Sequence, residues 1–76
     1  MPNDKKSALS GSTLGFFERD LQINVMPWLD FHVKLKNYRE SRATIAVENL
    51  LEAVEAQIDQ ACITVLLRFE SKYAEQ

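Results

Sequence analysis

Glycine and proline are scarce in this 76-residue chain, two of each, and from Phe16 onward Pro27 is the one proline and no glycine occurs. Sheets built from short hairpins normally need glycine at their turns, so the shortage argues against an all-β fold. A single cysteine, Cys62, excludes an internal disulfide and is compatible with a reducing, cytoplasmic setting. A single histidine, His32, leaves no second imidazole for an acid–base pair. No apolar stretch approaches the ~20 residues of a membrane span. Met1–Ser12 has no apolar core of the kind a secretory leader needs, so none is expected. Charge of one sign is also lacking: nine Lys and Arg face eleven Asp and Glu, a formal −2, with no global pull toward nucleic acid or acidic lipid.

What is present is apolar and helix-forming. Hydrophobic residues make up 46% of the chain, too many for disorder along its full length. Yet 76 residues bury only about 60% of their extended surface on folding, so the core is thin. One domain is expected over 13–76, after a flexible tail over 1–12 whose small polar residues cannot offset their ordering entropy.

The clearest pattern lies in the second half. Val47, Leu51, Val54, Ile58, Ala61 and Val65 recur at alternating steps of four and three, the period of an amphipathic helix. With Ser41 as a candidate N-cap, the helix is expected over 42–73. In the first half, Leu14, Phe17, Leu21 and Val25 form a helical stripe that Trp28, Phe31, Leu35 and Tyr38 continue beyond Pro27. A second period competes there. Leu29 to Lys36 alternates apolar and polar at every step, as a half-buried strand would. The expected fold is therefore all-α: an antiparallel helical hairpin of about 14–38, kinked or broken at Pro27, and 42–73, assembled as an oligomer. The alternative is α+β, with a β-hairpin at 21–36 packed on the long C-terminal helix. Proline holds φ near −65°, which suits the first turn of a helix better than a tight hairpin turn.

Catalytic constellations are missing. Asp30 stands two positions from His32, where helical side chains diverge. Cys62 and His32 are the only soft ligands and show no paired spacing, so no metal and no cofactor is expected, and Cys62 reads as a small core hydrophobe. Gly11-Ser12-Thr13-Leu14-Gly15 lacks the lysine and glycines of a phosphate loop. An enzyme is disfavoured.

Two charged features remain. Lys34, Lys36, Arg39 and Arg42 surround the expected reversal and are the candidate nucleic-acid contacts of a small dimeric regulator, although nucleic acid is not the favoured partner. Glu48, Glu52, Glu55 and Asp59 form an acidic stripe that a small inhibitor could present as a phosphate mimic. Pairing across the reversal at numbers totalling about 82 would set Lys34 beside Glu48.

The apolar excess asks for more. From Ala61 to Leu67 the side chains cover almost the whole circumference of a helix, more than one partner helix can hide. Ile58, Ile63, Val65, Leu66, Leu67 and Phe69 are the candidate partner-binding residues, the partner being another protein or a second copy of the chain. Leu50-Leu51-Glu52-Ala53-Val54-Glu55 and Val65-Leu66-Leu67-Arg68-Phe69 resemble the second helix of small co-chaperones that hold the needle subunit of type III secretion systems. The resemblance covers about a quarter of the chain. It implies a short cytoplasmic helical hairpin, non-enzymatic, that keeps an aggregation-prone subunit soluble, with the apolar excess of helix two as its docking face.

Overall fold

The computed structural model describes residues 9–75, and every described element is helical: α1 (Gly11–Asn24), α2 (Met26–Ser41) and α3 (Ile45–Glu75). Ser10 starts α1, its Oγ accepting from the Thr13 N–H at 3.1 Å while its carbonyl accepts from Leu14. Gly11 and Ser12, expected in the tail, thus lie inside the helix; residues 1–8 of that expected tail fall outside the described residues.

Pro27 bends the first arm two residues before itself. It has no N–H to give the Ile23 carbonyl, and its ring crowds that turn. The chain answers at Val25, where φ is −117° and ψ −48°; the N–H groups of Trp28 and Leu29 then both reach the Val25 carbonyl, at 3.0 and 3.1 Å. Pro27 itself sits in the first turn of α2, where a missing donor costs nothing. The expected break is present.

The β-hairpin alternative is not supported, since no strand occurs among the described residues. Of the alternating apolar residues Leu29, Phe31, Val33 and Leu35, the helix buries only Leu35. A period of two cannot be satisfied on a helix, and without a glycine or asparagine turn there was nothing to pair it as a sheet.

The first arm runs past its expected end at 38 to Ser41, and α3 begins at Ile45 instead of 42, and this moves the register. Alpha-helical bonding persists to the Arg42 N–H, which donates to the Tyr38 carbonyl at 2.9 Å; Arg42 then turns extended. Thr44, rather than Ser41, caps α3: its Oγ1 accepts from the Val47 N–H at 3.1 Å and its carbonyl from Glu48. Ser41 is instead the last residue of α2. The contacts between the first arm and α3 run in opposite chain sense: Asp20 to Arg68, His32 to Glu55, Arg39 to Glu48. Their numbers total 87 or 88, not 82, because the reversal falls at 42–44. Lys34 therefore does not meet Glu48; it pairs with Asp30 one turn away, at 3.1 Å.

The core is a single line of contacts between two arms. Leu35, Val47, Leu51 and Val54 form its buried cluster, with Ile58 packed on it. Toward the far end Val65 is buried, the Phe17 and Phe69 rings meet edge to face at 5.2 Å, and Tyr73 stacks on Phe69 at 6.0 Å. Among the described residues nothing covers the outer sides. The radius of gyration is 17.1 Å, against roughly 11 Å for a compact chain of this length.

Candidate functional site

The apolar circumference of α3 divides into an inner and an outer line. Val65 is only 1% exposed, Ile58 packs on the core cluster, and Phe69 lies against Phe17. These three expected docking residues serve the chain's own interior, because the four-and-three spacing aims them at the first arm. Ile63, Leu66 and Leu67 point elsewhere and are 51%, 54% and 61% exposed. The reason is angular: at 3.6 residues per turn, Ile63 and Leu67 each stand about 200° around the helix from Val65. They lie one turn apart on the outer ridge of α3, with Leu66 between that ridge and the core. Three large aliphatic side chains therefore face water within about 6 Å of helix rise.

The far end holds a polar clamp absent from the expectations. Asp20, 8% exposed, accepts from Arg68 Nε at 2.8 Å and Nη2 at 2.7 Å, and also from the Asn24 amide. Two parallel N–H donors on one carboxylate fix orientation as well as charge. These hydrogen bonds from Arg68 hold the Asp20 carboxyl below the usual carboxylate range, against the opposing effect of burial. In return the carboxylate raises the Arg68 guanidinium. A hint was readable: Thr13, Phe17, Asp20 and Asn24 follow the four-and-three spacing of a buried line, so an aspartate stood at a core position. Its partner, 48 residues on, was not.

Both charged features are partly engaged within the chain. Of the four cations, Arg39 reaches Glu48 at 3.4 Å and Lys34 reaches Asp30, so half of the expected nucleic-acid contacts are already engaged. Lys36 and Arg42 stay near the reversal, at the exposed surface. In the acidic stripe, Glu48 holds Arg39 and Glu55 Oε2 lies 3.0 Å from His32 Nε2. His32 thus meets a carboxylate across the arms, not the Asp30 beside it in sequence. Cys62 is half-buried.

Among the described residues no three His, Cys, Asp or Glu side chains gather as a metal site would need. No described helix is long and apolar enough to cross a membrane. The surface recesses are shallow and lie along the seam between the arms, one lined by Phe16, Arg19, Asp20, Ile23, Asn24 and Arg68. The arrangement defines a small all-helical protein whose distinctive feature is exposed apolar surface. The chain matches no protein-family model, and comparison with curated proteins and with solved structures finds none that is similar.

Proposed function

We propose that the chain is a non-enzymatic cytoplasmic adaptor or co-chaperone, an antiparallel helical hairpin that works as an oligomer and buries an apolar helix of a partner protein against Ile63, Leu66 and Leu67. The observation that carries this reading is the outer side of α3: three large aliphatic side chains, each more than half exposed, within little more than one helical turn. Soluble proteins expose single apolar residues freely, but contiguous patches mark interaction sites. Recognition would be helix against helix, with anchors at spacings of three and four. The resemblance at Leu50–Glu55 and Val65–Phe69 favours a type III secretion needle subunit as the partner class, and Leu66 and Leu67 are the members of that motif left free for it.

The test is fluorescence anisotropy with a labelled helical peptide from a needle subunit. The wild-type chain binds it; Leu66→Asp with Leu67→Asp weakens binding at least tenfold, since covering each half-exposed leucine contributes about 1–2 kcal/mol. The double variant keeps the far-ultraviolet circular dichroism of the parent, because neither side chain is in the core. Equal binding by parent and variant removes the ridge as the site.

A further inference from the structure

The two broad faces of the paired arms differ in a way that says what covers one of them. On one face lie the cross-arm pairs His32–Glu55 and Arg39–Glu48, and a recess there is lined by Glu48, Glu52 and Glu55. Carboxylates outnumber cations on it. The seam of the opposite face is lined by Asn24, Trp28, Gln57, Gln60, Ala61, Thr64 and Arg68, all uncharged except Arg68, which Asp20 neutralises. Phe16 and Ile23 flank that same seam beside Asn24 and Arg68. Helical spacing extends the face: Phe31 stands three residues past Trp28, Tyr38 seven past Phe31, and Leu50 seven before Gln57. Lys72 lies over the Phe16 ring, 5.3 Å from its centre, and with Arg19 beside Phe16 puts cations at the far end of the face; Lys34, between Phe31 and Tyr38 in helical spacing, is paired with Asp30.

We infer that this aromatic face is covered by the same face of a second copy, forming a four-helix bundle through a two-fold, self-complementary interface. The inference rests on the oligomeric part of the reading above and names its surface; of the partner ridge, Ile63 and Leu66 lie beyond this face, while Leu67, seven residues past Gln60 and three past Thr64, stands at its edge. Three arguments select a second copy. Phe16, Ile23, Trp28, Phe31, Tyr38 and Leu50 are 36–63% exposed, together roughly 500 Å² of apolar area at 150–250 Å² for each aromatic residue. A face as long as α3, about 46 Å, and two helices wide, about 20 Å, offers about 900 Å², while a stable dimer needs ~800 Å² from each partner. Charge then decides the pairing. An isologous interface sets a patch against itself; the acidic face would meet its own carboxylates, whereas the middle of the aromatic face meets neutral amides, a hydroxyl and the compensated Asp20–Arg68 and Asp30–Lys34 pairs, with Arg19 and Lys72 at its far end. Uncharged polar residues inside a helical interface also specify register and number in helical bundles, a role open to Gln57 and Thr64 in this polar seam between apolar flanks.

Light scattering on the full chain at about 100 µM tests this. The wild-type chain should have twice the 8.7 kDa mass of one copy. Phe31→Glu with Tyr38→Glu should have the mass of one copy at unchanged helicity, and Ile63→Glu with Leu66→Glu should keep the doubled mass. A wild-type mass of 8.7 kDa overturns both the oligomer reading and this inference. A doubled mass that survives Phe31→Glu with Tyr38→Glu but is lost with Ile63→Glu and Leu66→Glu keeps the oligomer and overturns this face. Should the Phe31 and Tyr38 variant unfold, Trp28, the one tryptophan, reports on the native chain. Its emission should shift to the red on dilution as the mass halves, and an emission that stays constant while the mass halves overturns the inference.

Discussion

Val65→Ala and Leu67→Ala are changes two residues apart on one helix with opposite expected costs. Val65 is 1% exposed against the first arm. Its truncation removes two methyl groups, each contributing about 0.8 kcal/mol of transfer free energy. It also leaves a void of about 50 Å³, costing about 1 kcal/mol more at ~24 cal/mol per Å³. The expected loss is about 2–3 kcal/mol, or a fall in Tm of about 10–20 °C for a domain of this size. Leu67, at 61% exposed, has no such environment to lose. Alanine is also the better helix former, so the expected change stays within about 0.5 kcal/mol. The assay is thermal and urea unfolding followed by circular dichroism at 222 nm, at one fixed protein concentration, since self-association makes Tm concentration-dependent. Equal destabilisation by the two variants would refute the division of α3 into inner and outer lines.

Further predictions concern polar groups. Because the Asp20 carboxyl is depressed in the folded chain, its contribution is fully present above the unfolded value near 3.9 and fades as pH falls through the lower folded value. Wild-type Tm should therefore drop below about pH 4, and Asp20→Asn should flatten that part of the profile in an acid titration by circular dichroism. Thr44→Ala should cost about 1 kcal/mol in urea unfolding through loss of the α3 cap, whereas Ser41→Ala, at the other side of the reversal, should change stability by only tenths of a kcal/mol. Arg39→Ala should shift stability by less than about 1 kcal/mol, as its partner Glu48 is half exposed and solvent-screened; a larger shift in urea unfolding would mean that the pair is structural.

The helical class was legible because the four-and-three spacing from Val47 to Val65 names a buried line that no strand could use. Pro27 marked the bend for a local reason, the missing N–H, though the chain relieves it at Val25. Register was not legible. It depends on where α2 stops, and nothing local told Ser41 from Thr44 as the residue that begins α3, since both carry a hydroxyl suited to capping. A shift of a few residues there replaced the expected Lys34–Glu48 contact with Arg39–Glu48 and set His32 on Glu55. The candidate site was half legible for the same reason. Composition marked the whole run from Ala61 to Leu67 as too apolar for one partner. Which side chains the first arm would claim depended on angle and register, and it claimed Val65 and Phe69 while leaving Ile63, Leu66 and Leu67 outside. The Asp20–Arg68 clamp joins residues far apart in sequence, and only the antiparallel register brings them within hydrogen-bonding reach.

The most direct measurement is methyl-resolved NMR with a soluble paramagnetic probe, read at Ile63, Val65 and Leu67. Strong broadening at Ile63 and Leu67 with Val65 protected is the expected result, since one ridge faces solvent and the other the first arm. Protection of all three methyls in the chain by itself would contradict an outer ridge free to bind a partner.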